Sequence, residues 1–564
     1  MKQLLKSIFL LGAMSLSGTA LADVTLSDGP APQILVNGRP MLILGGELGN
    51  SSASSVQDIR RIFPKLKRMN LNTVLTPVYW DLIEPTEGNM DFTLVDAAID
   101  EARKNDLKLV FLWFGAWKNS MSCYAPEWLL RDSKRFPRAR TAEGKPLEIA
   151  SAFSSEVLKA DNRAFEKFVR HINEVDYDDT VLMFQIENEI GMLENARDHS
   201  ALANKNYAEG VPPQLTSFMR KNLKSLDPAL EKRWKDNGQK MSGSWTEVFG
   251  DDIFTDEYFM AWNYAAYVER LARTARSLTS RPLYVNAAMN SRGRKPGEYP
   301  SAGPLAHLKD IWHAAAPTID FLSPDLYDKG FTDWVAKYAL PDNILFIPEI
   351  RQGNMNAAQA LYVFGEYDAI GLSPFSIENG NDAPEAPNVK GYAMISELMP
   401  LILKNQGKHT MRGLYFDKDS VTRVINDGRL RITASHYFTL PWDPRATDGS
   451  AWPETGAILI RTAPDEYIFA GCGTVVKFEH ESETAMRQKL GEDGFLDSGA
   501  DREEPSKWNG TKRIGLAQVA EMKVSPDGSL TPVRYLNGDE THQGRHVRIG
   551  VDDFKILRVK LYEY

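Results

Sequence analysis

The chain has 564 residues, of which 43% are hydrophobic and 25% are charged, and this is the balance of a globular protein. Its formal net charge of −9 argues against a nucleic-acid partner and against an anionic membrane surface. The length predicts more than one domain, one of them large enough for a barrel of about 250 residues or more.

The first 22 residues have the layout of an export signal. Lys2 and Lys6 precede an apolar stretch, and the sequence ALA at 20–22 matches an A-x-A cleavage site. The apolar stretch is too short to span a bilayer, and no later segment is typical of a membrane span. No cysteine follows the cleavage site, so a lipid anchor is not indicated there. We therefore predict an exported chain, periplasmic or secreted, that begins at Asp23 after cleavage.

Between about residue 29 and residue 404, short apolar runs alternate with longer amphipathic stretches. Eight of the runs are almost continuously apolar, which is the pattern of parallel strands covered on both faces. They lie at 41–47, 73–80, 108–114, 181–189, 282–288, 319–327, 343–350 and 370–379. Stretches such as 93–106 and 162–174 have helical periodicity. Eight β-then-α units predict an α/β fold, a (β/α)8 or TIM barrel, over residues 23–405.

The gap between the fourth and fifth predicted strands is long, and it predicts an insertion at the upper rim of the barrel. Its charged, aromatic section contains Trp245 and Phe249. Two interpretations stay open for these rings: they line a substrate cleft, or they pack the insertion onto the barrel.

After residue 404 the pattern changes to short runs of period two, separated by turn sequences such as SPDG and LNGDE. Residues 406–564 are therefore predicted to form an antiparallel β domain, a sandwich or a jelly roll. The two cysteines, Cys123 and Cys472, fall in different predicted domains. Two distant cysteines make no disulfide framework, so we expect both to be free and buried, and a single bridge between them stays open as the alternative.

Two of the predicted barrel strands end in a glutamate. The fourth ends in Asn188 and Glu189, and the seventh ends in Glu349. Because the active site of a TIM barrel lies at the carboxyl ends of its strands, the fold would bring these two carboxylates together. Facing carboxylates suit glycoside hydrolysis, in which one protonates the leaving oxygen and the other attacks or stabilises the anomeric carbon. The alternative, a salt bridge or a helix cap, leaves the surrounding motif unexplained.

The motifs around these residues resemble glycoside hydrolase family 35, the β-galactosidases of clan A. QIENEIG at 185–191 resembles the family's Q-x-E-N-E-[YF]-G, and the segment 72–92 is similar to its second-strand signature. GGE at 45–47 and PDLY at 324–327 match the first-strand and sixth-strand patterns. The resemblance covers roughly residues 30–405. Within the family, the chain most resembles periplasmic bacterial enzymes that remove galactose from xyloglucan oligosaccharides.

The resemblance implies a retaining exo-β-galactosidase. Glu189 would be the acid/base and Glu349 the nucleophile. Asn188 would bind the sugar 2-hydroxyl, and Tyr327 would hold the nucleophile by a hydrogen bond. Terminal galactose would then leave plant oligosaccharides of the xyloglucan type through a covalent glycosyl-enzyme intermediate.

Further sugar contacts are predicted at the tips of the first four strands. They are Glu47, Glu187, Tyr79, Trp113 and Trp117. Aromatic rings stack on the apolar faces of sugars, so one or more of these rings would form the galactose platform. Other interpretations stay open: Glu47 as a turn residue, Glu187 as a structural residue on the same strand face as Glu189, Tyr327 as a rim residue, and Trp80 as core.

The chain departs from family 35 around the sugar positions. Gly49 and Asn50 stand where the family commonly has His-Tyr, and the third-strand tip, LWFGAWKNS, does not match. These departures leave other functions open: an arabinosidase, another retaining clan A glycosidase such as a mannanase-like enzyme, or a carbohydrate-binding protein without turnover.

The sequence contains no P-loop, Rossmann fingerprint, CxxC or HExxH motif. We therefore predict no cofactor and no catalytic metal. The predicted partner is an oligosaccharide substrate, with neither a nucleic acid nor a membrane, and the oligomeric state is left open.

Overall fold

The structure is a computed structural model that describes residues 24–290, 293–440, 443–447, 452–482 and 512–564. The predicted export signal at 1–22 lies outside the described residues. Within them, no helix is long and apolar enough to cross a membrane.

Eight parallel strands close into a barrel and confirm the predicted fold class. In chain order they are β1 Ile43–Glu47, β2 Thr73–Tyr79, β3 Lys108–Lys118, β4 Val181–Asn188, β5 Leu283–Ala288, β6 Phe321–Leu326, β7 Phe346–Ile350 and β8 Gly371–Pro374. Each strand pairs with the next one along the chain, and β8 closes the barrel against β1. Almost every strand residue is buried, which explains why the runs are apolar on both faces.

Helices that follow the strands cover the outside of the barrel. They are Val56–Arg68, Trp80–Ile83, Thr93–Lys104, Glu127–Arg131, Ser155–Val175, Lys309–Ala315, Phe331–Tyr338, Asn356–Tyr367 and Pro387–Asn405. The helix Ser155–Val175 shows why such a segment forms: the Ser154 hydroxyl accepts the Val157 amide and caps its first turn. Phe165 and Phe168 then lie on its buried face at helical spacing.

The predicted insertion between β4 and β5 is helical. Its helices are Ala201–Ala208, Pro213–Lys221, Pro228–Asp236, Trp245–Phe249 and Ile253–Arg276. Trp245 and Phe249 are 1% and 0% exposed and pack against each other, and Trp245 also contacts Phe259 of the last helix. The two rings therefore pack the insertion together, and the interpretation that they line a cleft is wrong.

Short antiparallel strands flank the barrel. Three of them, Val24–Leu26, Ile34–Val36 and Arg39–Met41, form a sheet that leads into β1. Two others, Arg138–Arg140 and Pro146–Ala150, form a hairpin after β3.

The C-terminal part contains two antiparallel sheets. One has the strand order Met411–Phe416, Thr455–Ala463, Glu466–Cys472, Lys555–Glu563, Ile514–Val524 and Leu530–Leu536; the other has the order Thr422–Asp427, Leu430–His436, Thr474–His480 and Val547–Ile549. Ala457 and Leu459 face the core between the sheets, whereas Ile458 and Ile460 join the core of the barrel. The predicted β-sandwich is thus present, and its larger sheet packs on the barrel helices.

Both cysteines are free, as expected. Cys472 is buried in the larger sheet, but Cys123 is exposed, so the expectation of burial is wrong for Cys123. The reason is that Cys123 lies in the loop that follows β3, at the rim of the barrel.

Candidate active site

The structure brings Glu189 and Glu349 together at the carboxyl ends of the barrel strands. Glu189 follows β4, Glu349 lies in β7, and Asp325 lies beside it in β6. One carboxylate oxygen from each of the three lies within 4.8 Å of the other two. Glu189 and Glu349 are 5% and 4% exposed. Two glutamates that are far apart in the sequence therefore face one small space at the barrel mouth.

The tip of β4 is bent by two residues in the left-handed backbone region. Glu187 has φ 59° and Glu189 has φ 46°. Non-glycine residues adopt this conformation at a cost and often do so at functional sites. Because of the bend, Glu187 and Glu189 do not share a face as an extended strand predicts. Glu187 points towards Trp117, and Glu189 points towards Asn119 and Asp325.

Amide side chains hold the acid end of the site. The Asn119 side chain donates to Oε2 of Glu189. The Glu189 backbone amide donates to Oδ1 of Asn286 at 3.0 Å, and Asn286 Nδ2 donates to Oδ2 of Asp325 at 2.6 Å. Hydrogen bonds thus connect the ends of strands β4, β5 and β6 next to Glu189.

Burial and like charge give Glu189 the properties of an acid. Burial, followed by the negative charge of Glu349, raises the pKa of Glu189 to about 7, although Lys118 and a hydrogen bond with Asp325 oppose the rise. Burial and the charge of Glu349 also raise the pKa of Asp325 and that of Glu47 well above their ordinary values. A carboxyl that keeps its proton near neutral pH can protonate a leaving group.

Glu349 is oriented from the other side. The Tyr327 hydroxyl donates to its Oε1, while Oε2 receives no amide or hydroxyl donor from the described residues. Tyr327 is half-buried, and its ring lies edge-on to that of Phe375, which follows β8. Tyr327 thus fixes one oxygen of Glu349, and the Glu47 carboxyl lies in hydrogen-bond contact with the same group.

Asn188 and Glu47 each present unsatisfied polar atoms. Both side-chain atoms of Asn188 and both carboxylate oxygens of Glu47 are buried without an amide or hydroxyl partner in the described part of the chain. Glu47 is in hydrogen-bond contact with the Glu349 carboxyl. Buried polar groups are normally hydrogen-bonded, so the two side-chain atoms of Asn188 call for a polar ligand. The predicted roles of Asn188 and Glu47 as sugar contacts are compatible with this placement.

The predicted aromatic platform and Glu187 lie elsewhere. Trp113 is buried against Phe168, and Trp117 packs edge-on against Tyr264 and Tyr267 of the insertion. The Tyr79 hydroxyl accepts the Ala53 amide at 3.2 Å.

These placements correct three predicted sugar contacts, Tyr79, Trp113 and Glu187, whose polar atoms are bound by protein. Trp117 is buried, but its Nε1 has no acceptor among the described residues, so its role as a sugar contact stays a prediction. Glu187 accepts the Trp117 backbone amide at 2.8 Å and is fully buried, so its structural interpretation is the correct one. Trp80 is also fully buried, as the core interpretation has it, and donates to Glu84 at 2.9 Å.

Four residues at the site were not predicted to have a role there: Lys118, Asn119, Asn286 and Asp325, the last of which lies in the matched PDLY motif. Asp325 ends an apolar strand with an acid, which is the same signal that identified Glu349. Asn286 is a polar residue inside an apolar run. Lys118 and Asn119 lie beyond the predicted end of β3 at residue 114, so the strand's real length was the missing information.

The three carboxyls could also be considered as a cation site, since their oxygens are close enough to share one ion. Without a cation, burial and mutual repulsion raise the pKa values of Glu189 and Asp325, which suits the cluster to proton transfer.

Two family models match the chain. Residues 51–249 match glycoside hydrolase family 42, described as Beta-galactosidase, and residues 389–548 match a domain of unknown function, DUF5597. The first match contains β2 to β4 and Glu189 but ends before Glu349. The match is thus to family 42, whereas the motifs predicted family 35; both belong to clan A.

No curated protein matches the chain. Similar solved structures include β-galactosidases from Marinomonas ef1 (14% identity, 63% of this chain, 59% of that one, TM-score 0.40) and Rahnella sp. R3 (13%, 68%, 58%, 0.44). Another is an endo-1,4-β-mannanase from Rhizomucor miehei (15%, 66%, 99%, 0.41). The chain spans less than two thirds of the two galactosidases. These likenesses are too weak to carry a functional conclusion.

Proposed function

We propose that this clan A glycoside hydrolase is a retaining exo-β-galactosidase that removes terminal galactose from oligosaccharides of the xyloglucan type. One observation carries the proposal: carboxylate oxygens of Glu189 and Glu349 approach within 4.8 Å. Retaining glycosidases hold their two carboxyls about 5–5.5 Å apart, whereas inverting enzymes need about 6.5–9.5 Å to admit a water. The separation therefore favours a covalent intermediate.

In the first step Glu349 attacks the anomeric carbon through Oε2, while the Tyr327 hydroxyl holds Oε1. Glu189 gives its proton to the departing glycosidic oxygen. The C–O bond to the leaving group breaks, and an ester bond forms between the sugar and Glu349. Once Glu349 is esterified, it no longer carries the charge that raises the pKa of Glu189, which favours release of the proton.

In the second step Glu189, now ionised, removes a proton from water, and the water oxygen attacks the anomeric carbon. The ester bond breaks, Glu349 regains its negative charge, and Glu189 is protonated again. Asn119 and Asp325 hold the Glu189 carboxyl in both states, because each lies in hydrogen-bond contact with it.

The sugar would be held by polar groups at the tips of β1 and β4. Asn188 fits the 2-hydroxyl, a contact that strengthens in the transition state, and Glu47 fits a second hydroxyl. The half-buried Phe375 ring at the mouth replaces the predicted tryptophans as the candidate for stacking.

The proposed sugar, galactose, and the proposed export of the protein rest on the sequence and on the matched family model. Galactose is supported by the description of the matched family model, and the xyloglucan-type aglycone rests on the sequence motifs around the two glutamates. Export to the periplasm or the medium rests on the predicted signal at 1–22.

A screen of the purified protein against aryl glycosides tests the proposal. Aryl β-galactoside should give the highest kcat/KM, NMR should show the β-anomer of galactose as the first product, and xyloglucan oligosaccharides should release galactose. A 2-fluoro galactoside with a good leaving group should add one sugar mass to the peptide that contains Glu349. An α-anomer as first product would refute retention, and a preference for arabinoside or mannoside would replace the proposed sugar.

A further inference from the structure

Strand β3 is irregular just before it reaches the active site. Trp113 pairs with Ile186 of β4, and the next pair joins Lys118 to Asn188. Four residues of β3, 114–117, thus lie opposite the single residue Glu187, and β3 bulges away from β4 there. Lys118 and Asn119 follow directly after it, and Asn119 donates to Glu189. The shape of the bulge therefore determines where these two side chains lie.

Two buried carboxyls hold the bulge from outside the barrel. Oε2 of Glu187 accepts the Trp117 backbone amide at 2.8 Å. Asp161, on the helix Ser155–Val175, accepts Trp113 Nε1 at 2.9 Å and the Tyr267 hydroxyl at 2.8 Å. Asp161 and Glu187 are both fully buried, and the donors that they accept come from Trp113, Trp117 and Tyr267.

Asp161 and Glu187 are hydrogen-bonded to each other, and two carboxyls can do this only by sharing a proton. The two oxygens of Asp161 accept Trp113 Nε1 and the Tyr267 hydroxyl, whereas the only donors to Glu187 among the described residues are the backbone amides of Trp117 and Ala116. The proton therefore belongs on Glu187. Burial and the charge of Asp161 raise the pKa of Glu187, in agreement with this assignment.

The bulge has little freedom to change its path. A Cβ atom added at Gly115 would lie 2.2 Å from Trp113 Nε1 and 2.8 Å from Oε1 of Glu187. Real Cβ atoms do not approach other atoms so closely, so only glycine fits beside this pair. The backbone at Gly115 thus packs directly against the side chains of Trp113 and Glu187.

We propose that Asp161 and Glu187 are positioning residues for the acid/base: joined by one buried proton, they fix the β3 bulge that places Asn119 on Glu189 and Lys118 beside it. Neither residue touches the substrate. The proposal rests on the proposed function only for its kinetic readout, and it assigns Glu187 as a neutral acid and Asp161 as the anion.

Two variants separate the roles of the pair. In Glu187→Gln the amide oxygen can accept the Trp117 amide and the NH2 group can donate to Asp161, so activity should stay within about 3-fold of wild type. In Asp161→Asn the NH2 group replaces one accepting oxygen. Facing Trp113 Nε1 it meets a group that only donates, and facing Tyr267 it forces the hydroxyl to accept and to give up the hydrogen bond that it donates in wild type. Asp161→Asn should therefore loosen the bulge and displace Asn119.

The readout is kcat/KM on two aryl glycosides that differ in leaving group. Asp161→Asn should lose about 10- to 100-fold with a poor leaving group, which needs the acid, and about 3-fold or less with a good one. The basic limb of its pH profile should move as well. A purely structural role would lower both substrates equally without moving the pH profile, and that result would overturn the proposal.

Two further measurements keep the proposal testable. If Asp161→Asn does not fold, Tyr267→Phe removes only one donor to Asp161 and should give the same leaving-group dependence at smaller size; equal loss on both substrates would refute it. Infrared difference spectra between wild type and Glu187→Gln, recorded above pH 8, should show the loss of one protonated-carboxyl C=O band in the variant, beside any bands from Asp325 and Glu47 that both proteins share. An unchanged spectrum would disprove the neutral Glu187, whatever sugar the enzyme hydrolyses.

Discussion

The hydroxyl of Tyr327 donates a hydrogen bond to Oε1 of Glu349 across the tips of β6 and β7. The contact orients the carboxylate before the sugar arrives, and it must weaken or move when Glu349 becomes an ester. We predict that Tyr327→Phe lowers kcat by about 10- to 100-fold, as loss of an oriented catalytic hydrogen bond commonly does. Steady-state kinetics on an aryl β-galactoside measure this. Thermal unfolding should be nearly unchanged, because Tyr327 is only half-buried; an unaltered kcat would contradict the contact's role.

The pH dependence of kcat/KM follows from Glu189. Its pKa is raised to about 7, and the first step needs its protonated form. As the pH rises through this value the acid loses its proton, so kcat/KM for a poor leaving group should fall above about pH 7. A substrate with a good leaving group needs no acid in that step, so the fall should be much weaker. A fall that begins near pH 4.5 with the poor leaving group would show that Glu189 is not held protonated.

Lys118 bears on the same pH profile. Its charge opposes the rise in the pKa of Glu189, and its ammonium lies 5.1 Å from the centre of the Phe114 ring, with the side chain 3% exposed. Lys118→Met keeps much of the volume and removes the charge. The fall in kcat/KM should then occur at higher pH than in wild type, which a pH series on one substrate will show. A shift to lower pH would mean that Lys118 acts on Glu189 in the opposite sense.

The two glutamates should respond differently to removal. Glu349→Ala should lower hydrolysis of an aryl β-galactoside by several orders of magnitude, since no nucleophile remains. Glu189→Ala should keep turnover of substrates with good leaving groups and regain some activity with azide, because a small anion attacks the intermediate without a general base. The azide product should be a β-galactosyl azide. A small effect of Glu349→Ala would remove it from the nucleophile role.

The sequence predicted the barrel well because its strands are buried on both faces, and continuous apolar runs record that burial directly. The same rule located Glu189 and Glu349, since an acid that ends an apolar run marks a strand tip. It applied equally to Asp325, which was overlooked. The alternation of side chains between the two faces of a strand was less informative. Glu187 and Glu189 have a left-handed backbone that breaks this alternation, so the direction of each side chain could not be predicted from the sequence.

The aromatic residues were misplaced for a related physical reason. Tryptophan and tyrosine serve both as sugar platforms and as large core residues, and composition does not distinguish the two. Trp113 fills the space between β3 and the helix Ser155–Val175, where Phe168 and Asp161 receive it. The irregular end of β3 could not be predicted from the local sequence. Its shape depends on Asp161 and Glu187, and both residues lie far from β3 in the chain.

The aromatic platform gives the last prediction. Phe375 is half-buried at the mouth, edge-on to Tyr327, whereas Tyr79 is 3% exposed and bound to the Ala53 amide. If Phe375 stacks on the sugar, Phe375→Ala should raise KM by about 5-fold or more with a smaller change in kcat, since stacking on an aromatic ring contributes about 1 kcal/mol or more. Tyr79→Phe is the matched control: it keeps the ring in place and should leave KM unchanged. A KM that responds to Tyr79→Phe and not to Phe375→Ala would return the platform to β2, as the sequence first predicted.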